Sequence, residues 1–270
     1  MRWNPSRRDS GTTRTTYIEV EAFAGDTVEC ALSMPDWCWG GEHGVNEAGV
    51  AIGNETIYTT LDPRGAPDTL IGMDVVRLGL ERATSALNAV QVMSELITRY
   101  GQGGSGHDTR SGQRARPYWS SFLIADANDA WVMETSGTEI ATHQVVSTWA
   151  ISNRTTIPSF DARYRHPQQP VELLVDPRLN ASRALLASGP LTVDGVQEHL
   201  QAHVGGRDGW TVCMHAEVDG ECVEATTASM IVELSDHTTM WWAQGSPCVT
   251  PYQSAPFSEL VELLPATSGR

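Results

Sequence analysis

The side chains best placed to do chemistry are Asn54 and Glu55, a polar pair that ends the otherwise apolar run VAIGNE. An asparagine at a strand end can project its amide N–H into a cleft and donate to a developing oxyanion; equally, it can close the turn there. Cys213 and His215 stand two apart, and in a strand they would share a face as a thiolate–imidazole pair. With apolar flanks and no orienting carboxylate in view, Cys213 reads more simply as a buried structural thiol. His199 and His203 are four apart on a predicted helix, a spacing that lets two imidazoles share a metal. Leu200 occupies the place of a zincin glutamate and no third ligand shows, so both read as surface histidines and no metal is assigned. GQGGSG at 101–106 matches GxGxxG, but it follows a helical pattern and precedes none, so it reads as a flexible loop and no cofactor is expected.

Composition removes whole classes of mechanism. All 18 basic residues are arginine, so no Schiff-base lysine, P-loop lysine or lysine general base can be built. A net charge of −15 repels phosphate backbones and anionic lipid, which argues against nucleic-acid and membrane partners. The lysine-free acidic balance fits either a high-salt cytosol or a GC-rich genome. Five cysteines without CxxC spacing, behind an N-terminus with no apolar run, suggest reduced thiols and a cytoplasmic location.

The elements that must hold these residues follow from periodicity. Residues 16–33 alternate with a break at Gly25-Asp26 and predict a strand, turn and strand, and Asn46-Glu47-Ala48-Gly49 predicts a second tight hairpin. Helical spacing at 72–83 and 85–100 predicts two amphipathic helices, and 178–204 is again helical. SFLIAD (121–126) and AWVMET (130–135) predict a hairpin, a further strand falls near 140–146, and 101–117 reads as a mobile loop. TVCMH (211–215), ASMIVEL (228–234) and TMWWAQ (239–244) return to strands, with Trp241 and Trp242 on opposite faces. Helices grouped between runs of meandering strands make this α+β and layered, in one domain.

The blocks WGGEHGVNEAGVAIGNETIYT, IGMDVVRLGLERA, GQGG, SFLIAD, AWVMET, ISN, VCMH and TTASM, in that order, resemble the secernin family of dipeptidase-like N-terminal-nucleophile cysteine hydrolases. The resemblance implies a four-layer αββα sandwich and a substrate that is a dipeptide or small amide, attacked by an N-terminal cysteine whose own α-amine is the base. It implies catalytic roles for Asn54 (oxyanion donor) and Asn153, and substrate contacts for Trp39, Glu42, Glu55 and, less directly, Arg183. Self-association is left open.

The chain departs from that pattern at its start. It opens Met1-Arg2, downstream of the family's Cys-led segment, so the sandwich is expected to lack its first strands and the chain to be inactive as it stands. No nucleophile is assigned, since Cys30 and Cys38 are internal and neither carries an α-amine. The expected division is a poorly ordered 1–15, a hydrolase domain over 16–258 and a tail from 259 to 270. Two other readings stay open: a non-catalytic binding or scaffold relative, and an acylase of the penicillin V or bile-salt type.

Overall fold

The computed structural model describes residues 1–267. In chain order its first half runs β1 (Arg2–Asn4), β2 (Thr12–Arg14), β3 (Glu19–Glu21), β4 (Cys30–Ser33), β5 (His43–Asn46), β6 (Ala51–Ile57), α1 (Gly72–Arg82), α2 (Ala86–Tyr100), β7 (Trp119–Ala125), β8 (Ala130–Ser136) and β9 (Glu139–Gln144). The second half runs α3 (Pro158–Tyr164), α4 (Val171–Leu174), α5 (Asp176–Ala187), α6 (Val193–Gln201), β10 (His215–Val218), β11 (Glu221–Ala225), β12 (Ser229–Glu233), β13 (Thr239–Ala243), β14 (Gln253–Pro256) and α7 (Leu260–Leu263).

Seven strands form one sheet in the order β1-β4-β5-β6-β7-β8-β9, every neighbouring pair antiparallel. Strand alternation gives this sheet two apolar faces. One, with Leu32, Ile52, Phe122, Ile124 and Met133, lies under α1 and α2. The other meets the sheet β12-β13-β14 through Ala31, Val45, Met240, Trp242 and Ala255, and farther along meets Ile157 and Phe160 through Val132. With α6 lying against β12, the layers run helix, sheet, sheet, helix, as the sequence led us to expect. No helix among the described residues is long and apolar enough to cross a membrane.

The predicted hairpin β5–β6 is present, its turn carried by Gly49 at φ +76, a conformation that glycine adopts without strain. The helices α1 and α2 and the hairpin β7–β8 also fall where periodicity placed them. Trp242 is buried between the sheets and Trp241 only half-buried, one to each face.

Four expectations fail. Residues 16–33 do not fold back as one hairpin: β3 pairs with β2, and β4 enters the large sheet. The reason is that amides of the connecting chain are already taken, Thr27 N–H by the carbonyl of Arg7 and Val28 N–H by that of Glu81. The stretch 211–214 is not strand, because Val212 and Cys213 donate to the carbonyls of Val204 and Ala202 instead of to a neighbouring strand. The loop at 101–117 is tied down at its start, where Gln102 and Ser105 are buried.

The fourth failure is at the termini. Residues 1–15 contribute β1 to the large sheet and β2 to a small one, with Met1 and Trp3 buried. At the other end Leu260 is buried, and Trp3 exchanges hydrogen bonds with the carbonyl of Pro265 and the amide of Thr267, covering the outer edge of β1. Residues 268–270 of the expected tail lie outside the described residues.

What orders the N-terminus is a polar stripe on α1. Asp74, Arg77 and Glu81 recur at helical spacing on a helix whose residues 72–81 are all buried, so each charge needs a partner. Arg77 donates to Glu81 at 2.8 Å, to the Asn4 side chain at 2.6 Å and to the Trp39 carbonyl at 2.7 Å. Its guanidinium stacks 4.0 Å from the Trp39 ring centroid. Glu81 also accepts a forked pair from Arg7 and an amide N–H from Asn4. Asp74 accepts from the hydroxyl of Thr16 at 2.6 Å. Removing one partner of a buried ion pair costs about 3–5 kcal/mol. Glu81→Ala is therefore expected to lower the urea-unfolding free energy by about that much, and to make the bonds after Arg7 and Arg8 sensitive to trypsin; an unchanged midpoint would show that the stripe does not hold the N-terminus.

Candidate functional site

The candidate residues gather at one end of the large sheet, and β6 divides them. Adjacent residues of a strand face opposite sides, so Asn54 points toward α1 and Glu55 toward the second sheet. On the helix side the start of α1 sits directly on Asn54: a methyl at Gly72 would collide with Ser120 Oγ and Asn54 Oδ1. Ser120, which pairs with Thr56 and shares the helix-side face with Asn54, accepts from Gln102 at 2.8 Å, and Gln102 accepts from Thr135 at 2.7 Å. Asn54 Oδ1 is buried and makes no hydrogen bond among the described residues.

On the opposite side, Asn153 Nδ2 donates to Glu55 Oε2 and to the carbonyl of Thr56, both at 3.1 Å. Its Oδ1 accepts from Arg178 at 3.0 Å. Asn153 sits in the chain between β9 and α3, and that chain is pinned by a fully buried carboxylate, Glu134 of β8. Glu134 accepts the Thr156 hydroxyl at 2.8 Å and the amides of Thr156 and Ile157. Burial raises the pKa of Glu134 against those donors.

The electrostatics around β6 are those of carboxylates short of cations. Glu42, immediately before β5, has its carboxyl pushed up to about 7, first by burial and then by the Glu55 charge. Burial also raises Glu55, opposed by Arg178 and by the Asn153 amide. Burial lowers the pKa of Arg178, opposed by Glu55 and Glu224. Glu224 in turn pairs with Arg116 at 2.8 Å, and Arg116 donates to the Tyr58 hydroxyl at 2.8 Å. Beyond Tyr58, where β6 runs out, opens a cleft of about 440 Å³ whose lining includes Arg64, Arg114, Arg116, His107 and His166. An acidic cluster and a basic cleft thus adjoin, linked through Arg178, Glu224 and Arg116.

The residues singled out from sequence fare unequally. Glu55 and Asn153 come together, and Glu42 lies near enough for the Glu55 charge to act on it. Asn54 does not join them, since it occupies the other face of β6. Trp39 is half-buried under Arg77. Arg183 is exposed on α5; one and a half turns earlier on the same helix, Arg178 reaches the cluster. Arg178, Arg116, Tyr58 and Glu134 were missed. Only Glu134 left a signal, a lone carboxylate inside the apolar run AWVMET. No cysteine is poised as a nucleophile there: burial pushes the Cys30 thiol up to about 12, and raises Cys38 further with help from Asp74 and Glu42.

No family model matches the sequence. Among solved structures the chain is similar to penicillin V acylase from Agrobacterium tumefaciens, with TM-score 0.51 and 12% identity over 95% of this chain and 77% of that one. It is also similar to two variants of conjugated bile acid hydrolase from Clostridium perfringens. The first has TM-score 0.54 and 10% identity over 91% of this chain and 82% of that one. The second has TM-score 0.50 and 9% identity over 95% and 88%. The chain therefore shares the fold of these two hydrolases.

The folded chain keeps a proton on Glu42 up to about pH 7, whereas an unfolded glutamate loses it near pH 4.3, about its free value. Unfolding thus releases that proton within the window, and the contribution of Glu42 to stability falls as pH rises through it. Glu42→Gln, which cannot titrate, is expected to gain stability relative to the parent between pH 5 and pH 8. Equal parent–variant differences in denaturant midpoint at the two pH values would refute the raised pKa.

Proposed function

We propose that the chain is an amide C–N hydrolase of the N-terminal-nucleophile type whose cleft takes a small zwitterionic amide, a dipeptide in the manner of the secernins. The observation that carries this reading is a pair of carboxylates, Glu42 and Glu55, set beside an arginine-lined cleft and joined to it through Arg178, Glu224 and Arg116. Glu55, with Glu42 nearby, suits a substrate ammonium group, and Arg116 with Arg114 suits a carboxylate, each as a charge-assisted contact, whereas Arg64 is already forked onto Asp62. An acyl chain of the kind named in penicillin V or a conjugated bile acid would find no such use for the acidic end.

In this reading Asn54 is the oxyanion donor. Asn153 is a positioning residue: both of its N–H groups are engaged, by Glu55 and by the Thr56 carbonyl, and its oxygen holds Arg178. It fixes the Glu55 carboxylate and the Arg178 guanidinium for the substrate. None of the five cysteines is activated at this cleft, so the residues described here bind and polarise the amide without attacking it.

Calorimetric titration with a free dipeptide, its N-acetyl and C-amide derivatives, penicillin V and a conjugated bile salt tests this. Glu55→Gln should weaken the free-amine ligands about 10–100-fold and leave the N-acetyl form unchanged; Arg116→Ala should weaken the free-carboxylate ligands similarly and spare the C-amide, as expected for one charged hydrogen bond each. Tighter binding of penicillin V or the bile salt, indifferent to both substitutions, would select the acylase reading. Dipeptide hydrolysis lost in Asn54→Ala yet retained in every cysteine variant would overturn a cysteine mechanism.

A further inference from the structure

Four side chains from three separate segments converge: His203 after α6, Cys213 just before β10 with His215 at its start, and Cys248 in the turn between β13 and β14. One ligand atom from each lies within 4.8 Å of all the others. His215 Nε2 is 3.5 Å from Cys213 Sγ and 3.2 Å from Cys248 Sγ. The edges of a zinc tetrahedron with two sulfurs and two nitrogens measure about 3.3–3.8 Å, from Zn–S near 2.3 Å and Zn–N near 2.05 Å. Two of these edges are thus already close to the tetrahedral length, and the widest must close by only about 1 Å, a shift that side-chain rotation supplies. The His203 and His215 rings stand edge-on, centroids 5.1 Å apart and planes at 78°.

From these positions we propose that His203, Cys213, His215 and Cys248 form a structural zinc site. Zinc binding forms two Zn–S and two Zn–N bonds, and the two thiol protons leave to solvent, so Zn²⁺ and two thiolates cancel in charge. A set of two sulfurs and two imidazole nitrogens suits zinc over hard cations, and four protein ligands close the shell, which makes the site structural instead of catalytic.

The surrounding chain explains the need. β10 and β11 pair only with each other, and a lone two-stranded hairpin is marginal in water. Between residues 203 and 227 the buried hydrophobic residues are Cys213 and Ala216 alone, too small a core to hold the segment. The backbone already arranges the ligands: Cys213 N–H donates to the Ala202 carbonyl and Thr226 N–H to that of Met214, and the Ser246 hydroxyl donates to Thr226 O at 2.7 Å. A metal would join the end of α6, the hairpin and the three-stranded sheet at one point. This site is independent of the amide-hydrolase reading.

The test is zinc content of the full chain purified with reductant and zinc, then freed of loose metal, together with the absorption of the cobalt(II)-substituted chain. About one zinc per chain, and cobalt bands of a tetrahedral thiolate site, are expected. His203→Gln, at an exposed position, and Cys248→Ser, at a half-buried one, should each weaken zinc binding by at least about 100-fold, since even outer-shell partners of a metal are worth 10–100-fold. His199→Gln, which alters a histidine bonded to Ser182, should bind as the parent does. Less than about a tenth of a zinc per chain, full retention in both ligand variants, or a Cys213–Cys248 disulfide formed under those reducing, zinc-replete conditions would each overturn the assignment.

Discussion

A helix buried on every side that still carries Asp74, Arg77 and Glu81 is the constraint on which the rest of this molecule turns. Charges cannot stay buried without partners, and α1 packs on the large sheet beside α2, so the partners must come from chain that folds over it. Asn4 and Arg7 from the N-terminal segment, Thr16 from the stretch between β2 and β3, and the Trp39 carbonyl from the loop before β5 supply them. The same closure fixes the start of α1 against Asn54 and Ser120, where the absence of a side chain at Gly72 lets the helix touch the sheet. Scaffold and candidate site are therefore set by one packing decision.

On the other face of the sheet a second buried carboxylate works alike. Glu134 captures the backbone at Thr156 and Ile157, and so holds Asn153 over Glu55. The outcome is a buried polar cluster with more carboxylate than cation: burial first, and then the Glu55 charge, keeps a proton on Glu42 to about pH 7, and Arg178 is drawn in. The large sheet thus presents different chemistry on its two sides: amide and hydroxyl groups beneath the helices, ionisable groups toward the second sheet.

The final third is held by other means. Residues 203–227 bury little apolar surface, and their strands pair only with one another. Convergence of two imidazoles and two sulfurs at their base supplies the cross-connection that packing does not. His203 takes part and His199, its partner in helical spacing, does not, because His203 lies beyond the end of α6 where the chain turns toward β10.

Much of this protein was legible along the chain. Period-2 and period-3.6 patterns, and the turn chemistry at Asn46–Gly49, determined the strands β5 to β8, the helices α1 and α2 and the layered α+β architecture, because those signals are local. The polarity of Asn54 and Glu55 drew attention to β6, but the strand runs on to Ile57 and holds both in its interior instead of at its end. Sequence could not decide which side each faces in the assembled sandwich, nor that Asn153 would cross to Glu55, that Arg178 and not Arg183 would reach them, or that Cys213 and His215 would meet His203 and Cys248. Those are contacts between segments far apart in the chain, fixed by where layers close and which buried groups must be satisfied. The N-terminus shows the same division: its composition resembles a loose tail, and only the charged stripe of α1 makes it part of the fold.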